Sequence, residues 1–243
     1  MVKSSDFALT SCQATLFTPD EEISASKLMS GLLPRWLGRF DGDPTMLPVP
    51  AGVPVPRDMP RVILQAASGA WRCEIASARI NLSWRKTKRE TQILPVAEFF
   101  KDATKLLNEY RDFLECRVGR LAAVLNRYVI QPSPGRFLAE HFCQDRWLRA
   151  PLNRPEGFEL HAHKSFKLGG RFQVNSWVRN KTGKLTEDDE RRPIILVEQD
   201  INTLVEEVST SAFSTDEMAA FFAAVTVEFD HILNLYYPTE GRE

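Results

Sequence analysis

The chain has 243 residues and a mass of 27.6 kDa, room for one large domain or two of about 120 residues each. Hydrophobic residues at 43% and charged residues at 26% exclude a disordered, collagen-like or disulfide-scaffold chain. With 31 basic side chains against 32 acidic ones and a formal net charge of -1, no overall field draws the protein to nucleic acid or a membrane surface, so any such contact must come from a local patch.

The four cysteines, Cys12, Cys73, Cys116 and Cys143, are widely spaced, form no CxxC pair and have no histidine at zinc-finger spacing, which is the pattern of thiols in a reducing compartment. Thr10, Ser11, Gln13 and Thr15 interrupt the first apolar stretch, so it is not expected to be a leader peptide. No run of about 18 uninterrupted apolar residues occurs, and none is expected to span a bilayer. A cytoplasmic protein is the expectation.

Residues Phe7 to Phe17 place Phe7, Leu9 and Phe17 on one parity of a two-residue repeat and predict a strand. Thr18-Pro19-Asp20-Glu21 supplies a cap hydroxyl, a proline at the first helical position and a carboxylate behind it, predicting a short helix from Pro19 to about Gly31. Between Pro34 and Pro60 recurrent prolines remove N–H donors and predict an extended connection. Arg61–Ala66 and Trp71–Ala76 flank Ser68-Gly69 as a hairpin, and Ile80–Trp84 adds a third strand. Val96, Phe99, Phe100, Ala103, Leu107, Tyr110 and Leu114 then follow helical spacing, predicting a long amphipathic helix after Pro95.

Arg120 to Gln131 reads as a strand, Ser133-Pro134 opens a short helix through Phe142, and Phe158–Lys167 with Arg171–Arg179 forms a hairpin around Leu168-Gly169-Gly170. The polar stretch Asn180 to Arg192, with Glu187-Asp188-Asp189-Glu190, predicts a mobile loop before a strand from Ile194 to about Thr203. Ser214-Thr215-Asp216-Glu217 is a capping box, and Met218, Phe221, Phe222, Val225, Phe229, Ile232 and Tyr236 form the buried stripe of a final long helix.

The expected fold class is therefore α+β, in two similar halves, residues 1–116 and 117–243, each a strand, a short helix, three antiparallel strands and a long helix. The halves pack together or share a sheet, and each sheet keeps one face free of helices. That free face is where a partner would bind.

Three stretches carry a family resemblance. Asn81-Leu82-Ser83-Trp84-Arg85-Lys86 followed by the Phe99-Phe100 helix, Ala123 to Ile130 with its Asn126 and Tyr128, and Val197-Glu198-Gln199-Asp200-Ile201 through Phe229-Asp230-His231-Ile232 together resemble a sporadically distributed family of uncharacterised bacterial proteins. The resemblance spans most of the chain. It implies a cytoplasmic protein carried patchily among bacteria, as defence-associated genes often are, and it transfers no catalytic residue.

Trp84, Arg85, Lys86, Lys88 and Arg89 put four cations behind an indole, the composition of a patch that pairs phosphates and stacks on a base. The competing reading is a solvated link between a strand and a helix. His161 and His163 share one strand face with Glu159 and Ser165, where alternate histidines can ligate a metal, but strict polar and apolar alternation favours a solvated strand face, so no metal is assigned. His141 and Cys143 diverge by about 200° on a helix and form no nucleophile pair from spacing alone. His231 is expected to sit partly buried and clamp the last helix. No phosphate-loop, dinucleotide, zinc-protease or hydrolase-elbow motif occurs, so no catalytic residue and no cofactor is assigned.

The leading expectation is a non-enzymatic interaction protein, acting through the helix-free sheet face or the proline-rich segment Pro44 to Pro60, within a bacterial defence or toxin-neutralising assembly. Its partner is another protein or a second copy of itself, and no membrane is involved. The rivals are a nucleic-acid-binding module built on the Trp84 patch, and a small-molecule binder or hydrolase with a pocket between a long helix and its sheet.

Overall fold

Alternation of side chains along Ala8–Phe17 (β1) sends Cys12, Ala14 and Leu16 into the core and Ser11, Gln13 and Phe17 to the opposite side. The computed structural model describes residues 2–19, 25–47, 56–89, 93–149, 152–187 and 190–239. After β1 come the helices Ala25–Gly31 (α1) and Leu33–Trp36 (α2) and the strands Thr45–Met46 (β2), Pro60–Gln65 (β3), Trp71–Ala76 (β4) and Arg79–Arg85 (β5). Val96–Leu114 (α3), Arg120–Ile130 (β6), Pro134–Phe142 (α4) and Asp145–Leu148 (α5) follow. Glu159–Leu168 (β7), Phe172–Glu187 (β8), Glu190–Thr203 (β9) and Thr215–Tyr236 (α6) complete the described strands and α-helices, with short 3-10 turns at Ser4–Asp6 and Val205–Glu207.

All nine strands join one antiparallel sheet in the order β2-β3-β4-β5-β1-β6-β9-β8-β7. The molecule is α+β, but the expected division into two similar halves with three antiparallel strands each is overturned by this single continuous sheet. The cause lies at its centre, where β1 pairs with β5 along one edge and with β6 along the other. Ala14 stands opposite Ala123 there, both fully buried, and these small side chains let two helices approach the sheet closely.

Those helices are α3 and α6. Phe100 of α3 stacks on Phe222 of α6 with centroids 5.6 Å apart and reaches Phe229 at 6.2 Å. The α6 start is held by the expected capping box: Glu217 N–H donates to Ser214 Oγ at 3.3 Å, and Ser214 N–H donates to Glu217 Oε2 at 2.9 Å. Two polar ties fix α6 to the sheet. Arg127, 7% exposed, donates to Gln199 Oε1 at 3.1 Å and pairs with Asp230, while Gln199 Nε2 donates to the Phe229 carbonyl at 2.8 Å. Further on, Tyr237 Oη donates to Asn180 Oδ1 at 2.9 Å, both residues being fully buried.

Several expectations change. The stretch Asn180 to Arg192 is mostly ladder, not loop: β8 runs to Glu187 and β9 begins at Glu190, with Leu185 opposite Arg192 and Glu187 opposite Glu190. The ribbon outruns β7, whose pairing with β8 stops at Lys181, so it has no apolar face to reveal it by alternation. Of the helix expected from Pro19 to Gly31, Ala25–Gly31 is described and the start at Asp20 and Glu21 lies outside the described residues. The proline-rich stretch contains α2, with Pro34 in its first turn, and the short β2, while Pro48, Pro50 and Pro54 lie outside the described residues. By length and composition α6 does qualify as a bilayer-crossing helix, contrary to expectation, but here Phe221, Phe222, Val225 and Phe229 bury one side of it in the core. His231 is exposed and clamps nothing in the core.

Candidate functional site

Residues directly opposite in an antiparallel pair share a face, so the register assigns every side chain to one side of the sheet. The side that carries Cys12, Leu82, Trp84, Leu125, Val197 and Val178 is covered by the helices. Among the described residues no helix covers the other side, which presents rows of polar side chains running across the strands. One row reads His163, Trp177, Asp200, Val124, Gln13, Ser83 and Arg72 from β7 to β4. Its neighbour reads His161, Arg179, Glu198, Asn126, Ser11 and Arg85.

Lateral bonds hold these rows in place. His163 stacks on Trp177 at 4.2 Å with rings 21° apart, and its Nε2 lies 3.2 Å from Asn175 Oδ1, which also accepts from Ser165 Oγ at 2.6 Å. Arg179 pairs with Glu198. Asn202 Nδ2 donates to Asp200 Oδ1 at 2.9 Å, and Arg120 Nη2 donates to Asn202 Oδ1 at 2.6 Å while its Nε donates to the Thr203 carbonyl at 2.9 Å. The Arg120 guanidinium also covers Phe17 at 4.7 Å. Nearer β5, Thr15 Oγ1 donates to Asn81 Oδ1 at 2.9 Å and Gln13 Nε2 donates to Thr15 Oγ1 at 3.1 Å.

The electrostatics are uneven. Arg72, Arg79, Arg85, Arg120, Arg179, Lys181, Lys167 and Arg192 lie on this face against Glu74, Glu159, Glu198, Asp200 and Glu190. Burial raises the Asp200 carboxyl above the ordinary carboxylate range, partly offset by its bond from Asn202 and by the charges of Arg179 and Arg120. Burial likewise lowers the Arg120 guanidinium, against the pull of Asp200 and Glu206.

The expected nucleic-acid patch loses its aromatic member. Trp84 is 1% exposed, on the helix-covered side of β5 between Cys12 and Trp71, so its indole offers no stacking face. Arg85 lies on the helix-free face, with Nε donating to the Gly69 carbonyl at 3.2 Å, and Arg89 Nη1 donates to the Ala67 carbonyl at 3.3 Å. Both cations thus brace the β3–β4 turn, where Gly69 takes a φ of 73°. Lys86 and Lys88 are exposed beyond the strand end. Four exposed cations thus remain at one strand end, without the indole.

His161 and His163 are exposed on the helix-free face as alternation suggests, with His161 Nε2 3.4 Å from Glu159 Oε2. Among the described residues no three histidine, cysteine or acidic side chains gather into a metal site. His141 is packed instead, stacked on Tyr237 at 5.1 Å and Phe137 at 5.6 Å, with Nε2 2.7 Å from the Tyr236 carbonyl. Cys12 and Cys73 are buried, which pushes the Cys12 thiol up to about 12 and the Cys73 thiol well above the ordinary range, while Cys143 is partly exposed.

Sequence reading missed Trp177, Arg179, Asp200, Arg120 and Asn202 as neighbours. Each sits on a strand of legible parity, but only the β6-β9-β8 register brings them together. No protein-family model matches the chain, and no curated protein is detectably similar to it.

Proposed function

We propose that this chain is a non-enzymatic interaction protein that docks an acidic protein surface on the helix-free face of its sheet. The observation that carries the reading is the excess of cations over carboxylates on that face, where arginine and lysine from β4, β5, β6, β7, β8 and β9 stand side by side. The face is also pre-ordered. Stacking of His163 on Trp177 and the Arg120–Asn202–Asp200 chain of hydrogen bonds fix side chains that would otherwise lose rotamer freedom on binding. The aromatic rings here already have partners, Trp177 under His163 and Phe17 under Arg120, so base stacking has less to work with than charge does.

The test is site-specific photo-crosslinking in the native host, with the reactive group at Gln13 or Ser83 on the helix-free face and at Val227 on the exposed side of α6. One acidic protein should be captured from the first two positions only, and capture should weaken as salt rises. Equal capture from Val227, or retention of nucleic acid in place of protein, would refute the reading.

A further inference from the structure

The sheet ends differently at its two edges. The β2 edge is two residues long, whereas β7 is a ten-residue edge strand with no described strand beyond it. Thr182 N–H donates to the Phe158 carbonyl at 3.1 Å, which sets the ladder parity: even-numbered residues of β7 bond inward to β8. Glu159, His161, His163, Ser165 and Lys167 therefore aim their N–H and C=O groups outward, and their side chains lie on the helix-free face. Such an edge is a template for another strand.

We propose that β7 pairs antiparallel with β7 of a second copy about a two-fold axis at His163, extending the sheet across two molecules. The sequence of the strand is self-complementary in this register and not in its neighbours. Glu159 falls opposite Lys167 of the second copy on the helix-free face, and Leu160 falls opposite Phe166 on the other face, at both ends of the interface by symmetry. Sliding the axis to Lys164 sets lysine against lysine and His161 against Lys167. Sliding it to Ala162 leaves Glu159 opposite Ser165 and Leu160 opposite Lys164.

The groove beside the edge fits the same occupant. A cavity of about 260 Å³ lies on the helix-covered side between β7 and the end of α6, lined by Ala162, Lys164, Val178, Ile232, Leu235 and Tyr236. Leu235 is 48% exposed at its rim. The Leu160 and Phe166 side chains of an added strand point to this side of the sheet, where they would extend the apolar lining. Within one copy Glu159 lies 3.4 Å from the His161 ring and Lys167 is exposed at the far end of the strand, so both charged ends are available to exchange partners.

Sedimentation velocity of the full chain over a concentration series, with amide exchange read on β7, tests this directly. The wild type should form a dimer whose β7 amides gain protection as concentration rises. Lys167→Glu sets like charges opposite each other twice and should weaken the dimer about tenfold or more, and Glu159→Lys combined with Lys167→Glu should restore it. His163→Pro, which removes an outward N–H not used in the β7–β8 ladder, should leave a folded monomer. A wild type that stays monomeric throughout, a dimer indifferent to Lys167→Glu, or no rescue by the charge swap would overturn the proposal. So would protection of β7 only on addition of a different protein.

Discussion

Removing the Tyr237 hydroxyl isolates one polar tie between the end of α6 and the sheet. Tyr237 and Asn180 are both fully buried, and Asn180 Nδ2 already has no hydrogen-bond partner among the described atoms. Tyr237→Phe keeps the ring against Phe7 at 4.6 Å and His141 at 5.1 Å, so the change deletes one hydrogen bond and leaves the amide oxygen of Asn180 unsatisfied. An orphaned buried neutral group costs about 1–3 kcal/mol. At about 2–4 °C per kcal/mol for a chain of this size, the midpoint should fall by roughly 2–12 °C. Chemical denaturation followed by far-UV circular dichroism supplies the free energy, and a double-mutant cycle supplies the mechanism. In an Asn180→Leu background, Tyr237→Phe has no amide to abandon and should cost less than about 0.5 kcal/mol. Equal losses in both backgrounds would refute the bond as the source of the effect and assign it to ring packing.

The raised Asp200 pKa means its burial favours the neutral acid, so the stability it allows is present below the ordinary carboxylate range and is lost as pH rises through the folded-state value. Asp200→Asn should therefore gain stability relative to wild type as pH climbs from mildly acid to neutral, and parallel curves from chemical denaturation would count against the assignment. Trp84 and Trp177, on opposite sides of the sheet, should separate cleanly in the same assay. Trp84→Ala empties a buried site and should cost about 3–5 kcal/mol, whereas Trp177→Ala should cost far less while weakening capture on the helix-free face. Comparable destabilisation by both would show that Trp177 is structural.

The long helices were legible because period 3.6 persists through many turns: Phe99 to Leu114 and Met218 to Tyr236 announce their buried stripes, and the Ser214 box marks where the second begins. The burial of Trp84 was legible too, since Ile80, Leu82 and Trp84 share one parity, but the adjacent cations drew the reading toward a surface patch. What a single sequence cannot display is which strands meet. Nothing local says that β1 joins β6, and that one pairing turns two expected halves into a continuous sheet. The candidate face has the same origin, because Trp177 and Asp200 become neighbours only through the β8–β9 register. The stretch before Glu187 reads as loop for a different reason: its strands carry mostly polar side chains, so the ladder forms without an alternating apolar pattern.

Depth of burial has a practical corollary for the four cysteines. Cys12, Cys73 and Cys116 lie in the core, and the first two resist conversion to the reactive thiolate. Cys143, at the end of α4, is the one placed within reach of a reagent from solvent. A maleimide-linked spin label on the native chain should accordingly fall on a single position, giving a ready-made reporter of the spacing between two copies.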